Sequence, residues 1–158
     1  MSGFLLFVIV VAILYYVNRD YDSNDFNNIN LNANKKQQLK GLLKDHEAGI
    51  LVAFLSKVAK ADGNVSDIEA KLLSHIFRDI ANTFENSDAI RDELKQIYKN
   101  ELTSFDNIPE LCEKYLKLKT SYNAKISLVQ TLLTLAFVDL DFSDGESMIC
   151  EDIATFIK

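Results

Sequence analysis

Four oxygen-bearing side chains recur in this chain at one spacing. Asp62, Ser66, Asp67 and Glu69 lie in ADGNVSDIEAKLL, and Asp139, Ser143, Asp144 and Glu146 lie in VDLDFSDGESMIC. Corresponding positions are 77 residues apart. Two chemistries suit such a set. Carboxylates gathered in a loop are ligands for a hard cation such as Ca²⁺ or Mg²⁺. The candidate ligands are Asp62, Asp67 and Glu69 in the first copy, and Asp139, Asp141, Asp144 and Glu146 in the second. Alternatively, S-x-x-E at a helix start is a capping box: the Ser oxygen accepts from the amide three residues on, and the Glu accepts from the Ser amide. Asp67 and Asp144 then sit in a first helical turn, where negative charge is favourable.

Capping leaves Asp62 and Asp139 unexplained. Both fall at the carboxyl end of the preceding helix, where a negative charge opposes the macrodipole. Asp62-Gly63 suits an Asx-type turn, with Gly supplying a positive φ. Asp139-Leu140-Asp141 lacks that Gly. The expected role of the aspartate is to bond amides across the loop, towards the opening of the next helix. The spacing is not that of an EF-hand: in DLDFSDGE the Gly falls one place late, and no Glu stands at position twelve.

The elements that must position these residues are helical. The same register pairs Ala59 with Ala136 and Ile76 with Ile153, which reads as an internal duplication of helix, acidic loop, helix. Apolar periodicity predicts a helix over 35–60, broken near Lys44-Asp45, with Leu39, Leu42, Leu43, Ile50, Leu51, Phe54, Leu55 and Val58 inward. A second runs from Ser66 to Asn82, with Ile68, Leu72, Leu73, Ile76 and Ile80 inward. A third covers 87–101, with Ile90, Leu94, Ile97 and Tyr98 inward, and a fourth opens at Pro109 and buries Leu111, Cys112, Tyr115 and Leu116. A fifth spans 121–138; as the most apolar, it is expected to be central. A sixth runs from Ser143 to the end. No period-two run argues for a strand. The fold class is therefore all-α: a compact helical bundle with an internal pseudo-twofold repeat.

Ahead of the bundle, FLLFVIVVAILYYV (4–17) is unbroken apolar or aromatic sequence. Residues 1–18 are expected to form one transmembrane anchor at the short end of what spans a bilayer, with Tyr15 and Tyr16 at the interface. No Lys or Arg precedes the run, and no small-x-small site follows it, which argues against a signal peptide. Arg19, Lys35, Lys36 and Lys40 follow the anchor, so the positive-inside rule places the carboxyl-terminal body in the cytoplasm and the amino terminus outside. Residues 19–34, rich in Asn and Asp, read as a flexible tether.

Composition excludes several function classes. The 158 residues carry a net charge of −6, and no basic stripe suits nucleic acid. Cys112 and Cys150 form no C-x-x-C and have no nearby His to complete a zinc set; they read as buried thiols. His46 and His75 are isolated. No Ser/His/Asp set, P-loop, GxGxxG or H-E-x-x-H is present, so no catalytic residue is assigned.

AKADGNVSDIEAKLLSHI and AFVDLDFSDGESMICEDIATFI together resemble the two signatures of the TerB-like, tellurite-resistance-associated family, over about Lys36 to Lys158. The resemblance implies an all-α bundle with a pseudo-twofold repeat. It also implies metal ligation by the acidic motif residues, which map onto Asp62, Asp67, Glu69, Asp139, Asp144 and Glu146. Leu140 departs from the pattern, since the usual Gly is missing there. An amino-terminal anchor before such a domain is similar to the DjlA-type membrane-anchored co-chaperones of the bacterial inner membrane. Those act on an Hsp70-type chaperone through a J-domain with a His-Pro-Asp tripeptide. That tripeptide is absent here, so co-chaperone activity is carried over to no residue. The sequence stops at Lys158 inside a predicted helix, as either the amino-terminal part of such a protein or a stand-alone relative. Taken together, the expected function is a membrane-anchored, non-catalytic interaction module linked to chaperone or stress-response work. The alternative is a divalent-cation-binding or sensing domain.

Overall fold

The computed structural model describes residues 43–61, 63–101 and 107–158. The expected anchor (1–18), the linker (19–34), the start of the first predicted helix and Asp62 lie outside the described residues. Among the described residues there are six α-helices and no strand: α1 Glu47–Ala59, α2 Asp67–Ala81, α3 Ser87–Glu101, α4 Ile108–Leu118, α5 Tyr122–Ala136 and α6 Asp144–Phe156. None of them is long and apolar enough to cross a membrane.

α1 is the axis of the bundle and packs against every other helix. Its sequence, EAGILVAFLSKVA, is apolar on all sides, and every residue from Ala48 to Ala59 except Leu51 is buried. A helix apolar all round belongs in a core. This corrects the expectation that the helix at 121–138 is central. α5 buries only Leu128, Leu132, Leu135 and Ala136. Its polar residues form an outer face, where the Thr131 and Thr134 hydroxyls donate to the carbonyls of Ser127 and Gln130, both at 2.8 Å. α1 starts at Glu47 because His46 caps it, its Nδ1 accepting from the Ala48 amide at 3.2 Å. A turn occupies 43–45, where the sequence predicts a break.

One charged side chain is enclosed in α1. Lys57 is fully buried, and its Nζ donates to Glu101 Oε2 at 2.9 Å and to the Glu101 carbonyl at 2.7 Å. Glu101 Oε2 also accepts from Asn107 Nδ2 at 2.8 Å. Burial pushes the Glu101 carboxyl up, but the Lys57 ammonium and the Asn107 amide outweigh it and hold the group below its usual range. A buried ammonium needs such a partner, so this pair ties the centre of the bundle to the end of α3.

The two repeats are α1–loop–α2 and α5–loop–α6, with α3 and α4 between them in sequence. α1 contacts α5, α2 contacts α5 and α1 contacts α6, so the two copies share one core. Cys112 and Cys150 are buried free thiols, as the sequence predicts. Burial pushes Cys112 up to about 11 and, helped by Glu146 and Glu151, Cys150 up to about 12; neither is a reactive thiolate at neutral pH. His75 is buried, with its Nδ1 2.7 Å from Arg78 Nη2. Ile68, expected inward, is 39% exposed. Glu69, one residue on and about 100° round the helix, takes the inward place instead.

Candidate functional site

Each acidic motif builds the same local structure. Ser66 and Ser143 are N-caps in extended backbone, and both complete a capping box. Ser66 Oγ accepts from the Glu69 amide at 3.2 Å, while Glu69 Oε2 accepts from the Ser66 amide at 2.7 Å. Ser143 Oγ accepts from the Glu146 amide at 3.2 Å, while Glu146 Oε2 accepts from the Ser143 amide at 2.8 Å. Ser143 Oγ also donates to Glu146 Oε2 at 2.9 Å. Both glutamates are buried. Asp67 and Asp144 are exposed in the first turns, where they offset the positive helix end.

The turns before the caps match as well. The Gly63 amide donates to the Lys60 carbonyl at 3.0 Å, and the Leu140 amide donates to the Phe137 carbonyl at 3.1 Å. Gly63 has φ +89° and Leu140 has φ +67°. The missing Gly therefore does not change the backbone: Leu140 takes the left-handed conformation at a cost of about 1–2 kcal/mol. The Phe137 and Phe142 rings stack with centroids 4.1 Å apart and join the two ends of this loop. Asp139 Oδ1 accepts from the Asp141 amide at 3.1 Å. Asp139 thus closes an Asx turn within its own loop and is not drawn to the opening of α6. Asp62, its counterpart, lies outside the described residues.

The two motifs converge. A Cβ added to Gly145, in the first turn of α6, would lie 2.6 Å from the Ala61 carbonyl oxygen in the first loop. Only a residue without a side chain lets these two segments approach so closely. From the other direction, the charge of Asp139 in the second loop reaches Glu69 in the first turn of α2. Burial pushes the Glu69 carboxyl up; its two hydrogen bonds from Ser66 pull it down; the charges of Asp139 and Glu146 then raise it further, and the net shift is upward. Glu69 therefore feels the charges of two other candidate ligands, Asp139 and Glu146, across the repeat boundary, while Asp67 and Asp144 are exposed.

The fit of this set to a cation is partial. Its oxygen donors have the chemistry a hard ion takes. One oxygen of each glutamate is already held by a serine amide, and among the described residues no group of three or more His, Cys, Asp or Glu side chains could hold a metal ion.

Tyr98 on α3 belongs to this neighbourhood, although sequence periodicity marks it only as a core position. Burial and the Glu69 charge push its hydroxyl up to about 12. Its Oη is buried without a hydrogen-bond partner among the described residues, and its ring meets Phe77 edge-on at 5.6 Å. Gly145 was the other missed residue. Its signal is in the sequence: a glycine inside the first turn of a helix has no local reason to be there.

A scan of protein-family models matches one described as tellurite resistance protein TerB over residues 48–158. No curated protein and no solved structure matches the chain. The match covers both acidic loops and all but the first residue of the six-helix bundle. The chain belongs to the TerB family.

Proposed function

We propose that this protein is a membrane-tethered, non-catalytic TerB-type interaction module. Its bundle would work in the cytoplasm, at the inner face of a bacterial inner membrane, in chaperone or stress-response assemblies of the DjlA type. One observation carries the reading: the motif glutamates, the most chemically suggestive residues of the sequence, are buried in local capping boxes, and the two loops so held meet at Ala61 and Gly145. Such loops are a rigid platform rather than a reaction centre. The apolar run at 4–17 and the basic residues after it support the tether and its orientation.

The test is flotation of the full chain, expressed with a carboxyl-terminal tag. The protein should float with membranes, resist carbonate extraction, and expose its tag to protease only when cells are opened to the cytoplasmic side. Recovery in the soluble fraction, or a tag cleaved from outside intact spheroplasts, defeats the reading.

A second reading has its own observation. The charges of Asp139 and Glu146 that raise Glu69 are what a divalent cation would relieve, so the domain would bind or sense such an ion at the repeat boundary. Titration calorimetry with Ca²⁺, Mg²⁺, Mn²⁺ and Zn²⁺ decides. Heat of binding, with a rise in melting temperature that Glu69→Gln abolishes, supports it. No heat and no shift at millimolar metal removes it.

A further inference from the structure

Leu140 is 85% exposed, the most exposed large apolar side chain among the described residues. It also holds a left-handed backbone, φ +67°. The turn needs that backbone conformation but not the leucine side chain. Gly63 makes the same turn in the first repeat, with the same backbone hydrogen bond. A strained backbone carrying an exposed leucine, at a turn that glycine makes in the first repeat, gives the side chain a use in contact rather than in packing.

Its surroundings state what kind of contact. Asp141, next in sequence, and Asp144, four residues on, are exposed carboxylates. Met148, 61% exposed, lies four residues after Asp144 and so on the same face of α6. The Phe137–Phe142 stack and the Asp139–Asp141 hydrogen bond hold the turn, so little ordering remains to be done on binding. An apolar knob beside carboxylates is complementary to an apolar pocket rimmed by cations. An anionic membrane surface would repel the same carboxylates.

We infer that Leu140 anchors a contact with a partner protein whose surface offers an apolar pocket rimmed by Lys or Arg side chains. The inference rests on the interaction-module reading and adds the chemistry of the partner.

The experiment places photoreactive benzoylphenylalanine in the full-length chain, in cells, at position 140 and separately at positions 122 and 156. Tyr122 and Phe156 are also exposed apolar positions. The expected result is one discrete heteromeric crosslink from position 140, mapping to apolar residues flanked by Lys or Arg. With that partner purified, Leu140→Gly, which keeps the turn, weakens binding at least tenfold, and added salt weakens binding to the wild type. Crosslinks from 122 or 156 without one from 140 overturn the role of Leu140 and leave the interaction module standing. Silence at all three positions overturns both. A crosslink from 140 to lipid, to a second copy of this chain or to an acidic surface overturns the partner chemistry.

Discussion

Gly63 and Leu140 close the same turn in the two repeats, each amide donating to the carbonyl three residues before it and each residue at positive φ. One has no side chain; the other projects a leucine into solvent. The pair separates what the backbone requires from what the side chain adds.

Leu140→Gly should therefore stabilise the protein. Relief of the left-handed conformation gives about 1–2 kcal/mol, and the extra freedom of glycine in the unfolded chain returns part of it. A net gain of about 1 kcal/mol is expected, or roughly 2–4 °C in melting temperature for a chain of this size. Gly63→Ala should show the opposite sign, and a Cβ there meets nothing within 4 Å, so the loss reads the backbone alone. Thermal unfolding of both variants checks the pair.

Ser66→Ala and Ser143→Ala should each cost about 1 kcal/mol, the value of one N-cap. Glu69→Gln should keep the cap, because an amide oxygen accepts from the Ser66 amide as a carboxylate does. Denaturant midpoints distinguish these outcomes. A Glu69→Gln loss as large as that of Ser66→Ala would mean that the glutamate charge, not the cap, holds the loop.

Acid and neutral stability should depend on two glutamates with opposite sign. The Glu69 carboxyl is raised above 4.5, by burial first and by Asp139 and Glu146 after it. Its contribution is fully present below about pH 4.5 and is lost as pH rises through the higher folded value. The Glu101 carboxyl is lowered below 4.5, because Lys57 and Asn107 outweigh burial. Its contribution is present above about pH 4.5 and is lost as pH falls through the lower folded value. Urea unfolding at a series of pH values should show Glu69→Gln flattening the limb above 4.5 and Glu101→Gln flattening the limb below it.

The buried ion pair makes a sharper claim. Glu101→Ala leaves the fully buried Lys57 ammonium with the Glu101 backbone carbonyl but without its carboxylate, and should cost about 3 kcal/mol. The double variant Lys57→Met with Glu101→Ala should recover most of that loss. An additive pair of losses in urea unfolding would contradict the coupling.

Much of this was legible in the sequence. The 77-residue register, the S-x-x-E boxes and the helix at 87–101 follow from local chemistry, because caps and apolar periodicity act within a few residues. What escaped depends on how distant segments meet. α1 takes the central place because its polar residues are few and Lys57 finds Glu101, whereas α5 keeps an outer face of serine, glutamine and threonine. The approach of Ala61 to Gly145, and the reach of the Asp139 and Glu146 charges to Glu69, arise only when the two repeats fold against each other. The conformation of Leu140 runs against its residue type, so the sequence, which lacks the glycine there, does not show that the turn is the same as at Gly63.

The most direct test of the central claim is the size of the assembly formed by the full chain in its membrane. Cells are crosslinked lightly, membranes are solubilised gently, and native electrophoresis is followed by mass spectrometry. The account predicts a discrete heteromeric complex well above the 17.9 kDa of the chain, dissolved by replacing residues 1–18 with a soluble leader. Migration of the wild type as a monomer, or as copies of itself alone, would contradict it.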